Sequence, residues 1–165
     1  MHHDNTARVL PLVPHVSRRR EPPTSCVSDV MSTLLVTASP DDEVLDVAAA
    51  MVHAVVRHIP IVDNEGEVVG MVSDRDIRAL IGDPIQALCG GMDEVLEPVP
   101  VEVIMTKNPI CVPPTMPLEE AARWLLQNRI GALVVSDEHD QLVGVVTTAD
   151  LLHHAFIASA YSTAG

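Results

Sequence analysis

A gapless internal repeat is the strongest constraint in this chain of 165 residues: residues 30–77 overlay residues 104–151 at a constant offset of 74. Identity between the copies is sparse, at pairs such as Met31/Met105, Pro40/Pro114, Ala48/Ala122, Asp63/Asp137, Gly70/Gly144 and Asp76/Asp150. Apolar character is kept more widely, at Val36/Ile110, Val44/Leu118, Met51/Leu125, Ile59/Leu133, Ile61/Val135 and Met71/Val145. A fixed offset that preserves hydrophobic pattern means two copies of one supersecondary unit. At roughly 50 residues neither copy is large enough to bury its own sheet face, so each needs the other.

The periodicity within a copy gives its element order. A short apolar strand at Val36 or Ile110 leads to Asp41 or Thr115, read as helix N-caps. Val44, Val47, Ala48, Met51, Val52 and Val55 follow at helical spacing, matched by Leu118, Ala121, Ala122, Leu125 and Leu126. The runs IPIVD and ALVVSD, a polar turn (NEGE or EHDQ), and VVGMVS or LVGVVT read as a β-hairpin, and a second helix begins after Ser73 or Thr147. The expected fold class is therefore α+β, two βαββα units packed sheet to sheet. The expected divisions are a flexible arm over 1–25, unit one over 26–82, a linker over 83–100 with a short helix at Met92 to Leu96, and unit two over 101–165.

Composition narrows the function classes. The core must be aliphatic, because the chain has one Trp, one Tyr and one Phe, which argues against an aromatic platform for bases. The net charge is −13, yet four arginines (Arg8, Arg18, Arg19 and Arg20) make the first 25 residues +2, so the body carries −15. An acidic body repels nucleic acid, and the basic arm reads as a solvated tail, so nucleic acid is not an expected partner. Three cysteines without a C-x-x-C suggest neither disulfides nor zinc, and the adjacent His153 and His154 face different directions on a helix, so no metal is expected. Without an apolar run of membrane-spanning length or a signal-like N-terminus, the expectation is a cytoplasmic protein with no membrane contact. No phosphate-loop, nucleophile-elbow, zinc-protease or dinucleotide-binding signature is present, which points away from catalysis.

The remaining motif is G-x-x-[ST]-x-x-D, found as GMVSDRD at Gly70 to Asp76 and as GVVTTAD at Gly144 to Asp150. Two readings stay open on the residues alone. Ser73 with Asp76, and Thr147 with Asp150, form a capping box with Asp in place of Glu. Equally, the carboxylate beside the helix start is free in principle to hold a ligand. Gly70 and Gly144, inside strands, mark a bulge or a close backbone approach. Arg75 reads on its own as a solvated partner of Asp74 or Asp76, and Cys111 as an inert thiol.

The paired pattern, DVM, HIPIVDNEG and VVGMVSDRDI followed by LVGVVTTADL, resembles the CBS domain pair, or Bateman module, over roughly residues 27 to 155. That resemblance implies a pseudo-twofold axis, two clefts between the units, and binding of AMP, ADP or ATP, with S-adenosylmethionine or NAD as further possibilities. It carries ribose binding over to Asp76 and Asp150, with Ser73 and Thr147 beside them. It places Thr37, Cys111, Ile59 and Leu133 around the adenine, and Arg57, His58 and Arg75 at the phosphates. Copy two departs from this, with Gly131, Ala132 and Ala149 where copy one has Arg57, His58 and Arg75, so one competent cleft is expected, at Asp76. The implied function is an energy-sensing regulatory module, homodimeric through its apolar helix faces, acting on an unknown protein partner. The alternative is a ligand-independent scaffold in which both aspartates only cap helices.

Overall fold

The computed structural model describes residues 25–89 and 98–158; the arm over 1–24 and the expected helix at Met92 to Leu96 lie outside the described residues. Unit one contains helix α1 (Val44–Ala54), strands β1 (His58–Val62) and β2 (Val68–Ser73), and helices α2 (Asp74–Ile81) and α3 (Pro84–Leu88). Strand β3 (Thr106–Lys107) follows, and then β4 (Cys111–Val112), α4 (Leu118–Asn128), β5 (Ala132–Ser136), β6 (Leu142–Thr147) and α5 (Thr148–His153). The class is α+β with two three-stranded sheets, ordered β1-β2-β3 and β4-β5-β6. Strand β4 runs parallel to β5, and both hairpins are antiparallel. Among the described residues no helix is long and apolar enough to cross a membrane.

The hairpins form where the alternation and the turn chemistry agree. Asp63 Oδ1 accepts hydrogen bonds from the amides of Glu65 and Glu67, both at 2.9 Å. Asp137 Oδ1 does the same for His139 at 2.9 Å and Gln141 at 3.0 Å, and these bonds hold its carboxyl below the ordinary range. Such side-chain turns explain why an aspartate recurs at both places.

What the repeat pattern does not reveal is that each unit is completed by the segment that precedes the other. The amide of Val27 donates to Met116 O and that of Ser28 to Pro114 O, both at 2.9 Å. The counterparts, 74 residues on, are Val101 to Asp42 O at 2.8 Å and Glu102 to Pro40 O at 3.1 Å. Ser32 bridges Val145 in β6, while β3 pairs with β2 through Met71 and Thr106. Val27 is fully buried in the core of unit two, with Val112, Leu125 and Leu133. Val101 is fully buried in the core of unit one, with Val44, Met51 and Ile59. Each such valine contributes about 1.5–3 kcal/mol by leaving water.

This exchange corrects two expectations. Helices α1 and α4 begin at Val44 and Leu118, three residues beyond Asp41 and Thr115, and their N-caps are Glu43 and Pro117 without side-chain capping bonds. No side chain is needed, because the first helical amide already donates to the exchanged segment: Val44 to Val99 O at 2.9 Å, and Leu118 to Ser25 O at 3.0 Å. The leading strand of unit one shrinks to a single parallel bridge, Ala38 with Ile61, and in unit two it starts at Cys111 rather than Ile110. Val55 ends α1 as a left-handed cap (φ 56°), with Arg129 in the same role on α4 (φ 55°).

The exchange also accounts for the strand glycines. A Cβ on Gly70 would overlap Met105 Sδ and stand 3.0 Å from its Cγ; one on Gly144 would meet Met31 Sδ at 2.6 Å and Ser32 O at 3.3 Å. Each glycine admits the methionine of the other copy's leading segment. Gly70→Ala is therefore expected to cost about 1–3 kcal/mol in chemical denaturation, as overpacking does. A double-mutant cycle should show a favourable coupling of Gly70→Ala with Met105→Ala and none with Met31→Ala, although Met31 lies in the same repeat as Gly70.

Candidate functional site

The last residue of the motif in each copy, Asp76 or Asp150, sits at the start of a short helix. Ser73 leaves β2 in extended geometry and caps α2: its Oγ accepts from the Asp76 amide at 3.4 Å, and Asp76 Oδ2 accepts from the Ser73 amide at 2.8 Å and from Ser73 Oγ at 2.5 Å. Thr147 and Asp150 repeat the arrangement on α5 at 3.3, 2.7 and 2.7 Å. Both capping boxes are thus complete. In each carboxylate the bonds fall on Oδ2, leaving Oδ1 without a donor among the described residues. Capping and ligand binding are compatible at the same aspartate.

Only the first of these aspartates lines the large cavity between the units, of about 610 Å³. That volume is within the range of small-molecule sites, roughly 300–1,000 Å³. Its wall on the side of unit one is Arg57, His58, Ser73, Asp74, Arg75 and Asp76; unit two supplies Pro109, Ile110 and the run from Asn128 to Ala132. The start of β1 is tied to the start of α2 by the Asp74 amide donating to Arg57 O at 2.9 Å, which sets Arg57 and His58 beside the motif.

His58 reaches across the boundary. A Cβ on Gly131 would come within 2.7 Å of His58 Nε2 and 2.9 Å of its Cε1. Gly131 therefore has a positive role: it clears the space that the imidazole of the other unit occupies. Burial pushes the His58 pKa down, with Arg57 and Arg75 acting in the same direction and Asp76 and Asp74 opposing them. Asp74 is engaged by Arg78, whose Nε donates to Oδ1 at 3.0 Å and to Oδ2 at 2.9 Å. Arg75 has no ion-pair partner among the described residues, so it is not held by Asp74.

The other residues singled out in the sequence stand elsewhere. Ile59 and Leu133 are 0% and 1% exposed, with side chains in the two cores. Thr37 and Cys111 are exposed and are not among the lining residues of this cavity. Burial first, then Asp140, pushes the Cys111 thiol pKa up, and its Sγ lies 3.6 Å from Pro109 O. Thr147 and Asp150 also stand apart from this cavity. His154 Nε2 is 3.2 Å from Ser25 Oγ. Arg129, by contrast, is in the cavity wall.

Comparison with known proteins identifies the family of the fold. The family model "CBS domain" matches twice, over residues 27–83 and 101–156. A CBS domain-containing protein of Dictyostelium discoideum is 35% identical over 130 residues, 76% of this chain and 88% of that protein. The structure of CBSX2 in complex with AMP superposes with a TM-score of 0.65 at 30% identity, over 81% of this chain and 98% of that one. The CBS domain pair of protein MJ0100, in complex with 5′-methylthioadenosine and S-adenosyl-L-methionine, gives 0.63 at 26% identity, over 78% and 98%. Two reciprocally completed βαββα units, each ending in the capped aspartate motif, make this chain a member of the CBS domain family, with a tandem pair of such domains.

Proposed function

We propose that the protein is a non-catalytic regulatory module that binds one adenosine nucleotide, AMP, ADP or ATP, in the cavity at Asp76. The observation that carries this reading is the convergence on one cavity of a carboxylate with an uncommitted oxygen, Asp76 Oδ1, and of Arg57, His58 and Arg75. The ribose hydroxyls would donate to Oδ1, while the cations face the phosphate. Support comes from CBSX2, solved with AMP, and from MJ0100, solved with adenosine derivatives. One site per chain follows from the side chains: Gly131, Ala132 and Ala149 take the place of Arg57, His58 and Arg75 around Asp150.

The output is a change in the activity of a protein partner, so that the module reports the balance of adenosine nucleotides. The apolar residues left exposed on helices, Val52, Leu80, Leu126 and Leu152, support a homodimer. The completeness of both capping boxes favours a second reading, a ligand-independent scaffold whose aspartates are purely structural.

Thermal unfolding separates the two. A nucleotide at about 100 times its Kd should add about 2.7 kcal/mol to the stability of the wild type. Asp76→Ala and Asp150→Ala should each cost about 1 kcal/mol through the lost cap. The nucleotide shift should vanish in Asp76→Ala and persist in Asp150→Ala; no shift in the wild type selects the scaffold, and an equal shift in both variants overturns the site at Asp76.

The depressed His58 pKa generates a pH test. The folded protein binds this proton less readily than the unfolded chain, whose histidine titrates near about 6.5. The contribution of His58 to stability is therefore complete above that pH and is lost as pH falls through the lower folded value. Denaturation midpoints measured between pH 8 and 5 should fall less steeply for His58→Gln than for the wild type. A bound phosphate offsets the imidazolium charge, so the nucleotide-induced shift at low pH should exceed that of His58→Gln.

A further inference from the structure

The cavity holds an imbalance of charge that the rest of the molecule does not share. Residues 25–165 contain six basic side chains, Arg57, Arg75, Arg78, Lys107, Arg123 and Arg129, against 21 acidic ones. Three of the six, Arg57, Arg75 and Arg129, line this one cavity, and none of the three has an ion-pair partner among the described residues. The only acids in the wall among the described residues are Asp74, which is paired with Arg78, and Asp76. The cavity is a locally positive spot on a strongly negative body. Such a spot concentrates anions out of proportion to the net charge of the protein.

Arg129 makes this arrangement one between the two units. It occupies the left-handed cap of α4, and its counterpart in copy one, Val55, stands outside this cavity. Arg129 of unit two therefore shares this cavity with the motif of unit one, and the copy-one counterpart Val55 is not a cation.

We propose that Arg129 is a phosphate-binding residue of the Asp76 cavity, and that with Arg57 and Arg75 it selects a nucleoside polyphosphate over uncharged or cationic adenosine compounds. The inference rests on the reading of that cavity as a nucleotide site. Asp76 and the adenine end recognise what all adenosine compounds share, so discrimination falls to the groups at the phosphate end. Each added phosphate brings charge to a cluster of three arginines. Adenosine brings none, and S-adenosylmethionine brings a sulfonium and an ammonium against a single carboxylate.

The backbone offers a clean test. At φ 55° a glycine is free of the steric cost that any other residue meets, so Arg129→Gly removes the guanidinium without strain on the helix cap. Calorimetric titration of the full chain with ATP, ADP, AMP, adenosine and S-adenosylmethionine should rank affinity in step with phosphate number, with adenosine and S-adenosylmethionine weakest. Raising the salt should weaken ATP most. Arg129→Gly should weaken ATP about tenfold, as loss of a charged hydrogen bond does, and leave adenosine within about twofold, while Arg129→Lys recovers part of the ATP affinity. S-adenosylmethionine or adenosine binding as tightly as ATP, or Arg129→Gly weakening all ligands alike, overturns this inference while the nucleotide site stands. Failure of every ligand to bind, or binding that survives Asp76→Ala, overturns the nucleotide site itself and this inference with it.

Discussion

The reciprocal exchange of leading segments is the interaction on which the rest of the structure depends. Val27 closes the core of unit two and Val101 closes the core of unit one, and the backbone around each valine supplies what the other unit lacks. The first amide of each long helix is satisfied from outside its own unit, and so is the outer edge of each hairpin sheet. A unit of this size has too little apolar surface to stand alone, and open sheet edges invite mispairing. Crossing the segments removes both problems at once and makes the pair one cooperative body.

That crossing also places the cavity. Strand β3 lies against β2, and the turn that follows it carries Asn108, Pro109 and Ile110 into the cavity wall beside the motif of unit one. From the other side, Gly131 lets His58 lie across the boundary. The lining is therefore drawn from both units, and a change in their relative position would change the site. Regulation requires a ligand to bind two states differently, and a cleft whose two walls belong to different units is where such a difference arises.

The pairs that are identical in the two copies turn out to serve the fold. Met31 and Met105 fill the space left by Gly144 and Gly70; Pro40 and Pro114 receive the exchanged amides; Asp63 and Asp137 form the hairpin turns; Asp76 and Asp150 cap helices. The proposed ligand contacts fall where the copies differ, at Arg57/Gly131, His58/Ala132 and Arg75/Ala149. Symmetry of backbone and asymmetry of side chains are separate requirements. The first holds the pair together, and the second concentrates cations in one cleft.

The sequence by itself determined the repeat, the element order within a unit and the α+β class, because these depend on hydrophobic period, and it offered capping as one of two readings of the motif aspartates. It also carried the departure of copy two from the basic residues of copy one. Helix starts were misplaced at Asp41 and Thr115, because the true caps are main-chain groups far away in the sequence. Gly131 looked like a missing arginine. Only the tertiary structure decided that Val27 and Val101 change sides and that Gly131 receives His58. Each of these is a contact across the unit boundary, and periodicity within a unit holds no information about which neighbour its leading segment will complete.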